Sequence, residues 1–188
     1  MYAQAARGGV RVVLEGVELR LLDDLLAELA STLASASPAP EHPDDPFAWW
    51  EAQQRGTGTS PGSSDPALER LFPRAASPEV DPQGELTAFS RAVMAEQRTA
   101  DLALVRADLA ATGRGGRIEI TGTGLEAWLR TLNAVNLLLT ARLGVVDVVS
   151  ADEVARNASD DDHPVAFLYH VHQWVAGVIE SILDVSRR

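Results

Sequence analysis

The 188-residue chain has no cysteine and no lysine; all sixteen of its basic residues are arginine. The first absence excludes a thiol nucleophile, a thiolate zinc site, an iron–sulfur cluster and any disulfide. The second excludes a Walker-type phosphate lysine, a Schiff-base lysine and a kinase-type catalytic lysine. Aromatic residues are sparse at 5%. No uncharged stretch is long enough to span a bilayer: the best, residues 164–179, is short and carries His170, His172 and Gln173. The opening MYAQAARGG has no apolar run of signal-peptide length, so the expected compartment is the cytoplasm, with no membrane partner.

What is present is apolar and acidic. Hydrophobic residues make up 46% of the chain, within the globular range, and the length favours one domain over residues 1–188. Twenty-seven acidic residues against sixteen basic ones give a net charge of −11. Such a body repels nucleic-acid phosphate, so contact with promoter DNA would need a local arginine patch.

Periodicity predicts a mainly α fold, of the α+β kind: about five main helices with a small two-stranded antiparallel sheet. VRVVLE at 10–15 reads as a strand, and Leu19, Leu22, Leu26, Leu29 and Leu33 recur at helical spacing over 17–33. Residues 34–64 turn to Pro, Gly, Ser and Thr and read as a flexible insertion, with one short helix begun by Asp45-Pro46. Trp49 and Trp50 lie there, either docked on the body or awaiting a partner. A further short helix starts at Asp65-Pro66 and ends before Pro73.

A long helix is predicted over 85–111 with two apolar stripes: Leu86, Phe89, Val93, Leu104 and Ala111 form one, and Leu102, Val105 and Leu109 the other. RIEIT at 117–121 alternates as a half-buried strand does and pairs with 10–15. The next helix runs to about Leu143, with Thr123 and Glu126 as a capping box. VVDVV at 145–149 reads as a short strand or a buried connector. A last helix follows Asp160, Asp161 and Asp162, with Pro164 in its first turn and Leu168, Val171, Val175, Val178 and Ile182 as its stripe.

Few groupings carry chemistry. Gly122, Gly124 and Ala127 fit a dinucleotide-binding turn between strand and helix. Yet Arg117 and Glu119 alternate through that strand, whereas such folds bury it on both faces. His163, His170 and His172 sit near the aspartate run, but the first two are roughly 10 Å apart along a helix and the last two point apart. No G-x-S-x-G or H-E-x-x-H occurs. The reading is therefore non-enzymatic, with no cofactor and no metal. Trp128 and Trp174 read as core. Asn136 falls on an apolar stripe and calls for a buried partner. Arg98, Arg106, Arg114 and Arg117 concentrate positive charge within one stretch and are the candidate patch for a phosphate or an acidic partner.

Several segments resemble an actinobacterial family of AosR-like oxidative-stress regulators, long catalogued as a domain of unknown function. The matching pieces are the opening strand and Leu-rich helix, DPALERLFP, AWLRTLNAVNLLLTARLG at 127–144, and the terminal YHVHQWVAGVIESIL. The resemblance implies a transcriptional regulator acting with a sigma factor and RNA polymerase under oxidative stress. Genomic proximity to a protease adaptor in that family leaves a link to proteolysis open. Redox sensing there is attributed to a cysteine pair, which this chain lacks. Within the family-like block Arg130, Asn133 and Arg142 are the candidate partner surface. The alternatives are a nucleotide-binding enzyme using Gly122 and Gly124, or an adaptor linked to proteolysis.

Overall fold

The computed structural model describes residues 2–36, 65–112 and 116–187. Trp49, Trp50, the short helix expected after Asp45 and Arg114 lie outside the described residues. The elements in chain order are β1 (Tyr2–Ala6), β2 (Gly9–Val13), α1 (Gly16–Ala36), α2 (Pro66–Leu71), α3 (Glu85–Ala111), β3 (Arg117–Thr121), α4 (Thr123–Arg142), α5 (Val148–Asn157) and α6 (Ala166–Ser186). The fold is mainly α with one small antiparallel sheet, as the periodicity predicts.

The sheet has three strands in the order β1-β2-β3, one more than expected. The expected pair forms in antiparallel register, with Val10 opposite Ile120 and Val12 opposite Ile118. These four side chains are buried, while Arg11 pairs with Glu119 on the other face. The extra strand β1 joins β2 through the two-residue turn Arg7-Gly8, in which Gly8 takes φ 85°. Three of its five residues are alanine and most of its side chains are exposed, so it has no apolar alternation to betray it. Gly9 is required where β2 meets β3: a Cβ there would lie 2.1 Å from the Ile120 carbonyl oxygen.

The core lies between this sheet and the long helices. α1 contributes Leu22, Leu26, Leu29 and Leu33; α4 contributes Trp128, Leu132, Val135 and Leu139; α6 contributes Val171, Val175, Val178 and Ile182. α6 packs on β1 and β2, and α3 packs on α1 and α4. Trp128 is fully buried, and its indole N–H donates to Asp108 Oδ2 at 2.8 Å. Trp174 is only partly buried and donates to Glu18 at 3.3 Å.

Four local expectations are corrected. α1 continues to Ala36, so residues 34–36 are helix rather than insertion; Ser35 Oγ donating to the Thr32 carbonyl closes that last turn. VVDVV is neither a strand nor buried. Val146, Val148 and Val149 are 80%, 77% and 71% exposed, and the Asp147–Ser150 capping box starts α5 in the middle of the run. α6 begins at Ala166, beyond Pro164, and no acid lies in its first turn, so the aspartates occupy the preceding turns. α4 is capped at Gly122 (φ 54°), not at Thr123, whose side chain lies outside the described residues.

Candidate functional site

α3 and α4 cross with a carboxylate between them. Asp101 is 6% exposed, a costly position for a charge unless it is fully paired. Arg130 on α4 grips it in a bidentate fork, Nε to Oδ2 at 2.7 Å and Nη2 to Oδ1 at 3.0 Å. Gln97, one helical turn back on α3, donates to the same Oδ1 at 3.0 Å. The Arg130 hydrogen bonds hold the Asp101 carboxyl below the usual carboxylate range despite its burial. Arg130 is raised in turn, chiefly by Asp101, and its Nη1 reaches Glu126 at 3.1 Å.

Beside this pair opens a cleft of about 230 Å³, walled by Leu29, Met94 and Ala134 and edged by Gln97, Arg98, Asp101, Arg130, Thr131 and Asn133. Within this cleft Arg98 is incompletely satisfied. Its Nη2 donates to the Leu71 carbonyl at 3.1 Å and its guanidinium lies 5.8 Å from the centre of the Phe72 ring. Burial lowers its pKa, partly offset by Asp101. Arg98 Nε and Thr131 Oγ1 are buried without a hydrogen-bond partner among the described residues. In a chain of net charge −11, this cleft gathers two guanidiniums around one carboxylate. It can receive a hydrogen-bond acceptor or an acidic group. Asp101 is ionised and clamped, which suits an organising charge rather than a proton-transfer group.

The fold brings together Arg98, Arg130 and Asn133 from the two sequence-derived sets and separates the others. Arg106 is exposed two turns further along α3, and Arg117 is exposed on β3. Arg142 lies about 18 Å from Arg130 along α4. It binds Asp65 Oδ1 at 2.8 Å and Glu28 Oε1 at 3.0 Å, tying α4 to the cap of α2 and to α1. Asp101, Gln97 and Thr131 were missed by sequence reasoning. The i,i+4 spacings Gln97–Asp101 and Glu126–Arg130 were visible, but nothing local says that two helices aim them at each other.

A second polar cluster is structural. His172 Nε2 lies 3.2 Å from Thr140 Oγ1, and that hydroxyl donates to the Asn136 carbonyl at 2.7 Å. The hydroxyl proton being used, His172 is the donor through Nε2–H, and its buried Nδ1 has no partner among the described residues. Burial lowers the His172 pKa accordingly. Asn136 Oδ1 is also buried without a donor among the described residues, so the partner expected for it is not found. His170, exposed, approaches Asp161 at 3.8 Å, and no cluster of metal-ligating side chains occurs among the described residues. The Gly122–Gly124 turn follows an edge strand of an antiparallel sheet with every second residue exposed, unlike the buried parallel strand of a dinucleotide fold.

The outer face of α3 is the other unusual surface. Leu86, Phe89 and Val93 are 51%, 62% and 52% exposed, although the same helix buries Leu102 and Val105 on its inner side. Among the described residues, no helix is long and apolar enough to cross a membrane.

No curated protein and no solved structure matches the chain. A family model does match, over residues 1–186, and the chain belongs to the family described as "Domain of unknown function (DUF2017)".

Proposed function

We propose that this protein is a non-enzymatic regulatory protein that works by binding another protein in the cytoplasm. The observation that carries this reading is the Arg98–Asp101–Arg130 cleft. Two arginines and an exposed Asn133 converge beside an apolar wall, and buried donors on Arg98 and Thr131 are left without acceptors. Buried unsatisfied donors are uncommon, and an acidic or carbonyl-bearing side chain from a partner would satisfy them. The AosR-like resemblance supplies the finer reading: transcriptional regulation in an actinobacterial stress response, with a sigma factor or RNA polymerase as the partner. Without cysteine that regulation does not run through a disulfide switch. Promoter DNA is the weaker partner, because Arg98, Arg106 and Arg117 lie at separate places.

The test is affinity purification of the tagged protein from oxidatively stressed cells, beside Arg98→Ala and Asn133→Arg. Identified RNA polymerase or sigma subunits should co-purify with the parent protein and be depleted with both variants. Asn133 is exposed, so its variant separates binding from folding. Recovery of those subunits undiminished by both variants, or their absence throughout, would overturn the reading.

A further inference from the structure

α3 is 27 residues long, and its exposed side carries more than three stray apolar residues. Leu86, Phe89, Val93, Gln97, Ala100, Leu104, Ala107 and Ala111 follow one another at steps of three and four. All eight are exposed, with Leu104 at 38% the least exposed of the large apolar members. This is the spacing of a helix–helix seam, with Gln97 as its one polar member. Of the buried residues of α3, Ala95 and Leu102 lie on the opposite side of the helix and Asp101 and Val105 toward one flank, so the seam faces away from the core with Gln97 at its edge beside α4.

The seam is uneven along its length. Its N-terminal half is large (Leu86, Phe89, Val93), and its C-terminal half holds three alanines and one leucine. A partner helix that fits it must be small where this one is large. The same seam run backwards meets that condition. With the two-fold axis between Gln97 and Ala100, Leu86 faces Ala111, Phe89 faces Ala107, Val93 faces Leu104 and Gln97 faces Ala100, each pair in register to within one residue. A parallel arrangement instead stacks Phe89 on Phe89 and leaves alanine opposite alanine. Charge agrees as well. About that axis Glu85 falls level with Thr112 and Glu96 level with Asp101, whose charge is buried and paired with Arg130, so no exposed like charges meet. A face that complements itself under a two-fold rotation is what an isologous dimer requires.

We infer that the outer face of α3 is a dimer interface, and that its occupant is α3 of a second copy of this chain, packed antiparallel. Gln97 edges both the seam and the Arg98 cleft, but the inference rests on the apolar members of the seam, and self-association tests it separately from capture of a partner.

The absence of cysteine makes the test clean. Sedimentation velocity over a wide concentration range should show the parent protein passing from monomer to dimer, and Phe89→Arg should remain monomeric with an unchanged circular dichroism spectrum. Leu86→Cys and Ala111→Cys, each alone, should form little disulfide, since identical positions near the helix ends are about 37 Å apart in an antiparallel pair. Mixed together, the two variants should cross-link efficiently under mild oxidation. Self-cross-linking of Leu86→Cys alone would mean a parallel pair and would overturn the proposed packing. A parent protein that stays monomeric at all concentrations would overturn the interface. So would a monomer that Phe89→Arg destabilises, since the face would then be covered from within the same chain.

Discussion

The two sides of α3 both carry apolar residues at helical spacing and meet opposite fates. Leu102 and Val105 on the inner side are 5% and 0% exposed, packed into the core against α1 and α4. Phe89 and Val93 on the outer side are more than half exposed. A helical stripe needs a neighbour before its periodicity becomes burial. Among the described residues, the fold supplies neighbours on one side only. An apolar side chain left outside therefore marks where the described residues supply no neighbour, and this difference is what separates core from interface.

The largest effects belong to the inner side. Leu102→Ala should cost about 2–5 kcal/mol, the range for emptying a buried leucine site, read as a drop in the urea midpoint. Leu86→Ala on the outer side should leave the dilute, monomeric protein within about 0.5 kcal/mol of the parent. Equal losses from the two would erase the distinction between the faces.

Asp101 sits on the inner edge and sharpens the contrast. Asp101→Asn removes the charge that Arg130 and Gln97 surround and should cost about 1–2 kcal/mol, moderated because Arg130 can return to water. Equilibrium denaturation at neutral pH measures it, and a cost near zero would show that the buried ion pair does not hold α3 to α4.

Acid separates the interior groups by pH. His172 is favoured neutral in the folded protein, with its pKa below the ordinary 6.5. The unfolded chain therefore takes up the proton first, and stability should fall as the pH drops below about 6.5 and level off once the folded pKa is passed. Asp101, also depressed in the fold, contributes fully above its ordinary value of 3.8, and that contribution is lost only as the pH falls through the lower folded value. The decline starting near pH 6.5 should flatten in His172→Gln and persist in Asp101→Asn. A parent protein whose stability is flat from pH 7 to 5 would contradict the buried, neutral histidine.

The smallest effect is on the outer face. Two acidic bodies repel, so added salt should tighten self-association several-fold in sedimentation equilibrium. Weakening by salt would instead mean that ion pairs, rather than the apolar seam, carry the contact.

Much of this fold was legible in the chain. The helix of 85–111, the strand of 117–121 and its pairing with 10–15 follow from periodicity and glycine punctuation, which are local. β1 was not legible because Ala3, Ala5 and Ala6 carry no alternating signal; only the Arg7-Gly8 turn announces it. VVDVV misled because its β-branched residues suggested a strand, while the Asp147–Ser150 cap decided for a helix. At the candidate site Arg98, Arg130 and Asn133 could be named from sequence, but Asp101, which organises them, could not. Its role exists only where two helices separated by a strand come into contact. Both stripes of α3 were legible too, but which one is core was not, since that depends on where α1 and α4 lie.

The most direct measurement is the urea midpoint of the parent protein and of Phe89→Arg, each followed across a wide range of protein concentration. Dimerisation through α3 adds mass-action stability, so the parent midpoint should climb with concentration while that of Phe89→Arg stays flat. Two flat lines would contradict the claim that the outer face of α3 is built for a second copy.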